Sequence, residues 1–240
     1  MATTSKPSRL TLLLDFFLES WSANIIICLN MAVYVYLNVS PSGPYLAKHL
    51  VLYPGNLVEG RWWCLITSGF LHSSGAHLFM NMLGVFIFAR IVERQLGAGK
   101  TLFVYFGALF LSMLFATTIY SFLLQKNVAI IGASGAVMGL ISAAMLLDPF
   151  KVTYEMIIPL PAMFKGWLFL YADIKGMLGG EQDGVSHLAH LCGFLSVGLL
   201  VYFLSKKDKK LMRTGLIVNI VSFIVFLFLK RWLETQPFGA

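Results

Sequence analysis

The sequence predicts an all-α fold, a polytopic bundle of transmembrane helices. Three observations carry that prediction. First, 58% of the 240 residues are hydrophobic and only 12% are charged, which leaves more apolar surface than a soluble core of this size can hide. Second, the apolar residues fall in runs near the roughly 20 residues that a helix needs to cross a bilayer core of about 30 Å. Third, the lysines and arginines gather in short stretches between those runs. The net charge of +7 therefore reads as a topology signal and not as a nucleic-acid-binding face. The partner implied is the lipid bilayer, with no nucleic acid.

The N-terminal stretch MATTSKPSRLTLLLDFFLESWSAN carries Asp15 and Glu19 and offers no small-residue cleavage site. It is expected to remain on the chain as a cytoplasmic tail, with 10–18 as an interfacial amphipathic helix. Seven spans follow, at about residues 23–39, 76–95, 101–124, 134–147, 164–178, 185–204 and 215–229. The fifth is the weakest, being short and carrying Asp173 and Lys175 near one end. No internal repeat is visible, so the simplest partition is a tail over 1–22, one membrane domain over 23–205, and a basic loop, an added C-terminal helix and a tail over 206–240. Cys28, Cys64 and Cys192 are odd in number and two lie in apolar runs, so free thiols are expected.

With the N-terminus in the cytoplasm, the 18 lysines and arginines all fall inside except Lys48, Arg61, Lys126, Lys175, Lys230 and Arg231. That satisfies the positive-inside bias, although Lys230 and Arg231 sit on the disfavoured side. The loop 40–75 and the starts of spans two, four and six then face outside.

Polar side chains at membrane depth are costly, so each is a functional candidate, and each also has a plainer explanation. In HSSGAHLFMNMLG, His77 and Asn81 are four apart and stack on one helical face near the outer end of span two, where interhelical hydrogen bonding would account for either alone. In VSHLAHLCGFLSVG, His187 and His190 are three apart near the outer end of span six, with Gly193 one turn below. Together with His72 and His77 these imidazoles suggest zinc. Against that stands the lack of a carboxylate or cysteine with ligand spacing at the same depth, since Glu181 and Asp183 belong to a loop. In IIGASGAVMGL, Ser134 begins span four between Gly132 and Gly135, and Gly135-x-x-x-Gly139 is a small-residue face suited to close helix packing.

The combination shifts the balance towards chemistry. All three polar sets lie at one depth, and Gly193 with Gly135 or Gly139 would let spans four and six approach until His190 reaches the Ser134 hydroxyl. Neutral His190 would take the serine proton as general base. The Ser134 amide at a helix start, with His77 and Asn81, would stabilise an oxyanion. With no acidic group seen at that depth, His190 is expected to be oriented by packing or by a non-acidic partner.

GASG around Ser134, HSSGAHLFMN from His72 to Asn81 and AHLCG from Ala189 to Gly193 resemble, in order and in helix position, the motifs of the rhomboid intramembrane serine proteases. GRWWCLITSGFLH and VERQLGAGK resemble the family too, and the likeness runs over about 20–205. It implies a six-helix core, here with a seventh C-terminal helix, enclosing a water-filled cavity that opens outside. It also implies cleavage of transmembrane substrates without metal or cofactor. Ser134 would be nucleophile, His190 base, and His77, Asn81 and the Ser134 amide the oxyanion hole. Gly132, Gly135, Met138, Gly193 and His72 would be supporting residues, and His187, to which the resemblance carries no role, would support the site by lining the cavity mouth. Three positions depart from the family pattern: Cys64 follows Trp63 where arginine is usual, Met138 replaces an aromatic four after the serine, and Val197 replaces a glycine four after Gly193.

Two other readings compete. A catalytically inactive rhomboid-like protein that binds transmembrane helices for quality control would have no need of both Ser134 and His190. A metal or proton transporter would call for inverted repeats or carboxylates in the spans.

Overall fold

A computed structural model describes residues 18–153, 159–179 and 186–235 of the chain. Apart from Leu18, the segment expected as an interfacial helix lies outside the described residues, as do Glu181 and Asp183. Ten α-helices are present among the described residues. They are α1 (Trp21–Val39), α2 (Gly43–Leu50), α3 (Pro54–Val58), α4 (Cys64–Thr67), α5 (Gly75–Leu96), α6 (Ala98–Phe122), α7 (Ser134–Leu147), α8 (Ala162–Gly179), α9 (His187–Leu200) and α10 (Lys206–Thr235). A two-residue antiparallel pair, β1 (Val152–Thr153) and β2 (Leu160–Pro161), joins α7 to α8.

All seven expected spans are helices, and α7 begins and ends where the sequence placed it. By length and composition α1, α5, α6 and α10 can each cross a membrane, while α7 and α9 are shorter apolar helices. Helix α8 carries Lys165, Asp173 and Lys175 and belongs to neither group. The outward residues of α10, among them Ile217, Ile220, Val221 and Ile224, are apolar and exposed, as suits a surface solvated by lipid. The chain is an integral, multi-pass membrane protein.

Two expectations change. The basic stretch from Lys206 to Arg213 is not a loop but the opening turns of α10. Ser205 caps it reciprocally: its Oγ accepts from the Asp208 amide at 3.2 Å, the Asp208 carboxylate accepts from the Ser205 amide at 3.3 Å, and Lys100 reaches that carboxylate at 2.5 Å. This is the capping-box arrangement, in which a lysine-rich start is no obstacle to helix. The loop 40–75 likewise contains α2, α3, α4 and a 3-10 turn over Ser68–Phe70. Arg61 donates to Asn56 Oδ1 at 2.8 Å, and Asn56 donates to the Val51 carbonyl at 2.7 Å. Arg61 thus braces the loop, and Cys64 adds a weaker tie by donating its Sγ hydrogen to the His49 carbonyl at 3.4 Å.

At the centre stands α7, wrapped by α5, α6, α8, α9 and α10 and buried along nearly its whole length. A helix hydrophobic all round is the sequence form of such a position. Small residues set its spacing. A Cβ on Gly193 of α9 would strike the Gly135 backbone of α7, while Cβ atoms on Gly135 and Gly139 would strike Ser112 and Ala108 of α6. The glycines of α7 therefore admit α6 more closely than α9, and it is Gly193 that brings α9 in. Val197 is buried, and nothing lies near Gly198, so the close approach survives without a second glycine at that level.

Candidate active site

The start of α7 is fixed from outside. The Ile130 amide donates to the Leu52 carbonyl at 2.9 Å, and the Gly132 amide donates to the Ser68 carbonyl at 3.0 Å. Gly132 has φ +105, a conformation that side-chain-bearing residues rarely adopt. A Cβ there would also lie 2.8 Å from the His77 ring. The residue must be glycine on both counts, and its smallness lets His77 and Asn81 stand beside the chain that leads into Ser134.

His77 Nδ1 accepts from the Ser73 amide, at 3.4 Å, and pairs with the Ser73 hydroxyl at 3.2 Å. An imidazole nitrogen that accepts from an amide carries no proton in the neutral ring, so the proton sits on Nε2, the atom next to Gly132. Asn81 donates one amide hydrogen to the His77 carbonyl at 3.1 Å and retains a second. The Ser134 amide, in the first turn of α7 behind Ala133 as N-cap, has no intrahelical acceptor by its position. His77, Asn81 and Ser134 line one cavity, at the positive end of the α7 dipole.

His72 packs edge-on to His77 with ring centroids 5.0 Å apart. Burial pushes its imidazole down to about 4, with the nearby His77 adding to the effect. It is a neutral ring packed against His77.

Ser134, His77, Asn81, Met138, Asp173 and His190 all line one cavity of about 540 Å³. The described residues include no direct hydrogen bond between Ser134 and His190, although both face that space; such bonds often tighten only around bound substrate. Met138 is buried and fills part of the cavity wall, a role its flexible thioether suits.

The expectation that no acidic group lies at this depth is wrong. Asp173 of α8 accepts at one oxygen, Oδ1, from His190 Nδ1 at 2.8 Å and from His187 Nδ1 at 2.9 Å. The signal was in the sequence: an ionisable residue inside a span asks for a named partner. The charge of α8, read as a weakness of the span, belongs to this contact. Asp173, His187 and His190 also offer three ligand atoms within 4.8 Å of one another, a donor set a transition metal would accept. A metal held by all three would compete with the hydrogen bonds just described.

The fold defines a membrane-embedded helix bundle with a serine at the buried start of its central helix. The Rhomboid domain family matches residues 59–208, and the chain belongs to the rhomboid family. It is 29% identical over 197 residues to rhomboid protease AarA of Providencia stuartii, covering 73% of this chain and 69% of that one. It is 27% identical over 187 residues to YdcA of Bacillus subtilis (strain 168), provisionally named a rhomboid protease, covering 77% and 88%. With RHOMBOID-like protein 6, mitochondrial, of Arabidopsis thaliana it shares 33% over 162 residues, 66% of this chain and 49% of the relative.

Proposed function

We propose that the chain is an intramembrane serine endopeptidase that cleaves transmembrane segments of membrane proteins through Ser134 and His190. The observation that carries this reading is the single cavity in which a helix-start serine, an imidazole with its Nδ1 engaged, and the donors of His77 and Asn81 meet. Relatives bearing the name of rhomboid protease support the same class of activity.

In this mechanism Ser134 Oγ attacks the scissile carbonyl as its proton passes to His190 Nε2. The carbonyl electron pair moves to oxygen, where His77 Nε2–H, Asn81 Nδ2–H and the Ser134 amide receive it. Collapse breaks the C–N bond, and His190 returns the proton to the leaving amine. Water then hydrolyses the acyl-serine by the same route. General-base action is worth about 10²–10⁴ in rate, and each oxyanion donor about 10²–10³.

The N-terminus is assigned to the cytoplasm and the cavity mouth to the opposite side, on the distribution of lysine and arginine. No metal or cofactor has a step in this chemistry. The inactive helix-binding alternative gives no reason for His77, Asn81 and Ser134 to share one donor pocket.

The test is cleavage of a model transmembrane substrate in proteoliposomes. Ser134→Ala and His190→Ala are each expected to reduce turnover by about 10⁴ or more while the proteins remain folded. Normal cleavage by Ser134→Ala would overturn the mechanism.

A further inference from the structure

We propose that Asp173 is the positioning residue of the site, holding His190 in the orientation and tautomer that a base needs, with His187 steadying the carboxylate. This rests on the protease reading of Ser134 and His190 and adds a third group to it.

The geometry is specific. Asp173 is only 5% exposed, and a carboxylate is costly to bury unless it is hydrogen-bonded. Both of its imidazole partners approach the same oxygen, His190 at 2.8 Å and His187 at 2.9 Å. A carboxylate can only accept, so each neutral ring must present Nδ1–H. His190 is thereby left with its lone pair on Nε2, the nitrogen that has to take the Ser134 proton. Without the carboxylate the ring is free to carry its proton on either nitrogen or to turn over.

A second, independent feature points the same way. Gly176 lies one turn beyond Asp173 on α8, and a Cβ there would collide with the His187 ring. The glycine is a slot for that imidazole. Asp173-x-x-Gly176 on α8 therefore faces His187-x-x-His190 on α9 as a matched pair, and the two histidine rings stand nearly perpendicular at 85°. In the reaction the proton travels from Ser134 Oγ to His190 Nε2 and from there to the leaving amine, never to Asp173. Asp173 keeps its charge and faces the imidazolium that forms.

A merely structural tie between α8 and α9 would make a different prediction, so the experiment separates the two. In the full chain in liposomes, Asp173→Asn is expected to lower kcat about 10²-fold or more. KM and thermal stability should stay near wild type, and the acylation of Ser134 by a fluorophosphonate should slow in parallel. On a His190→Ala background the same change is expected to add nothing. For wild type, 15N NMR of labelled histidine is expected to show His190 protonated at Nδ1 near neutral pH, which needs no variant to fold. Wild-type kcat in a folded Asp173→Asn protein, or a His190 protonated at Nε2 in wild type, would overturn the inference. Ser134→Ala in the same assay reports separately on the protease reading, since its normal activity would remove that reading along with this one.

Discussion

Two regions of the bundle hold the site by opposite means. Between α6, α7 and α9 the backbones approach until only small residues fit, with Gly193 against Gly135 and Gly139 against Ala108. Helix α8 instead leans on its neighbours through large side chains and a charge. Phe169 meets Phe88 of α5 edge-on at 6.5 Å, Trp167 meets Phe223 of α10 at 5.5 Å, and Asp173 meets the α9 histidines. Without a hydrophobic force between helices in lipid, close backbone packing is the stiffest contact available. The seam carries Ser134 and His190, the proposed nucleophile and base, while α8 carries the carboxylate that His190 meets.

The sharpest way to break this contrast is one methyl group placed on each side. Gly193→Ala sets a Cβ against backbone that cannot rotate away, so we expect a loss at or above the roughly 1–3 kcal/mol typical of overpacking, read as a large drop in thermal stability together with loss of cleavage. Gly176→Ala sets a Cβ against a histidine ring that can turn. Stability should hold and kcat fall by about an order of magnitude at most, because Asp173 loses one of two partners while keeping His190. If the two variants behave alike, the seam and the flank do not differ in stiffness.

Phe169→Ala removes a half-buried ring and its edge-on contact with Phe88, a pair worth about 0.5–1.5 kcal/mol beyond its burial. Differential hydrogen exchange should show α8 loosened and α7 unchanged. A smaller effect is expected from Glu19→Gln. Glu19 lies just before α1 and pairs with Arg90 and Arg94; the Arg90 hydrogen bond holds its carboxyl below the usual carboxylate range. A depressed folded value means the stabilisation is present above the unfolded carboxylate range and is lost as pH falls through the folded one. The wild-type advantage, on the order of 0.2–1 kcal/mol for so exposed a carboxylate, should show in melts at pH 7 and vanish in strong acid. Chelation by EDTA should change cleavage least of all; a loss on chelation would make Asp173, His187 and His190 a metal centre instead.

Much of this architecture is legible in the sequence because bilayer thickness imposes a length on every apolar run. The first six spans lie close to their expected limits, the seventh helix extends beyond its expected 215–229 at both ends, and Ser134 begins α7 as the glycines around it suggested. What escaped has a common physical origin. The turns from Lys206 to Arg213 are polar and so resemble a loop, yet helix formation there depends on the Ser205 cap and not on hydropathy. The helices α2, α3 and α4 are too short to show a period. Asp173 was visible as a charge in a span, but its pairing with His190 is fixed by the rotation of α8 against α9, which no spacing within one helix reveals. The roles of Gly135 and Gly139 were likewise readable as close packing without revealing that α6 is the nearer partner.

The central claim is that the hydroxyl at the start of α7 is a nucleophile, and its most direct test is covalent. Wild-type protein in liposomes, treated with a fluorophosphonate and mapped by peptide mass spectrometry, is expected to carry one adduct, on Ser134, with labelling strongly slowed in His190→Ala. An adduct on another residue, or equal labelling of the Ser134→Ala protein, would contradict it.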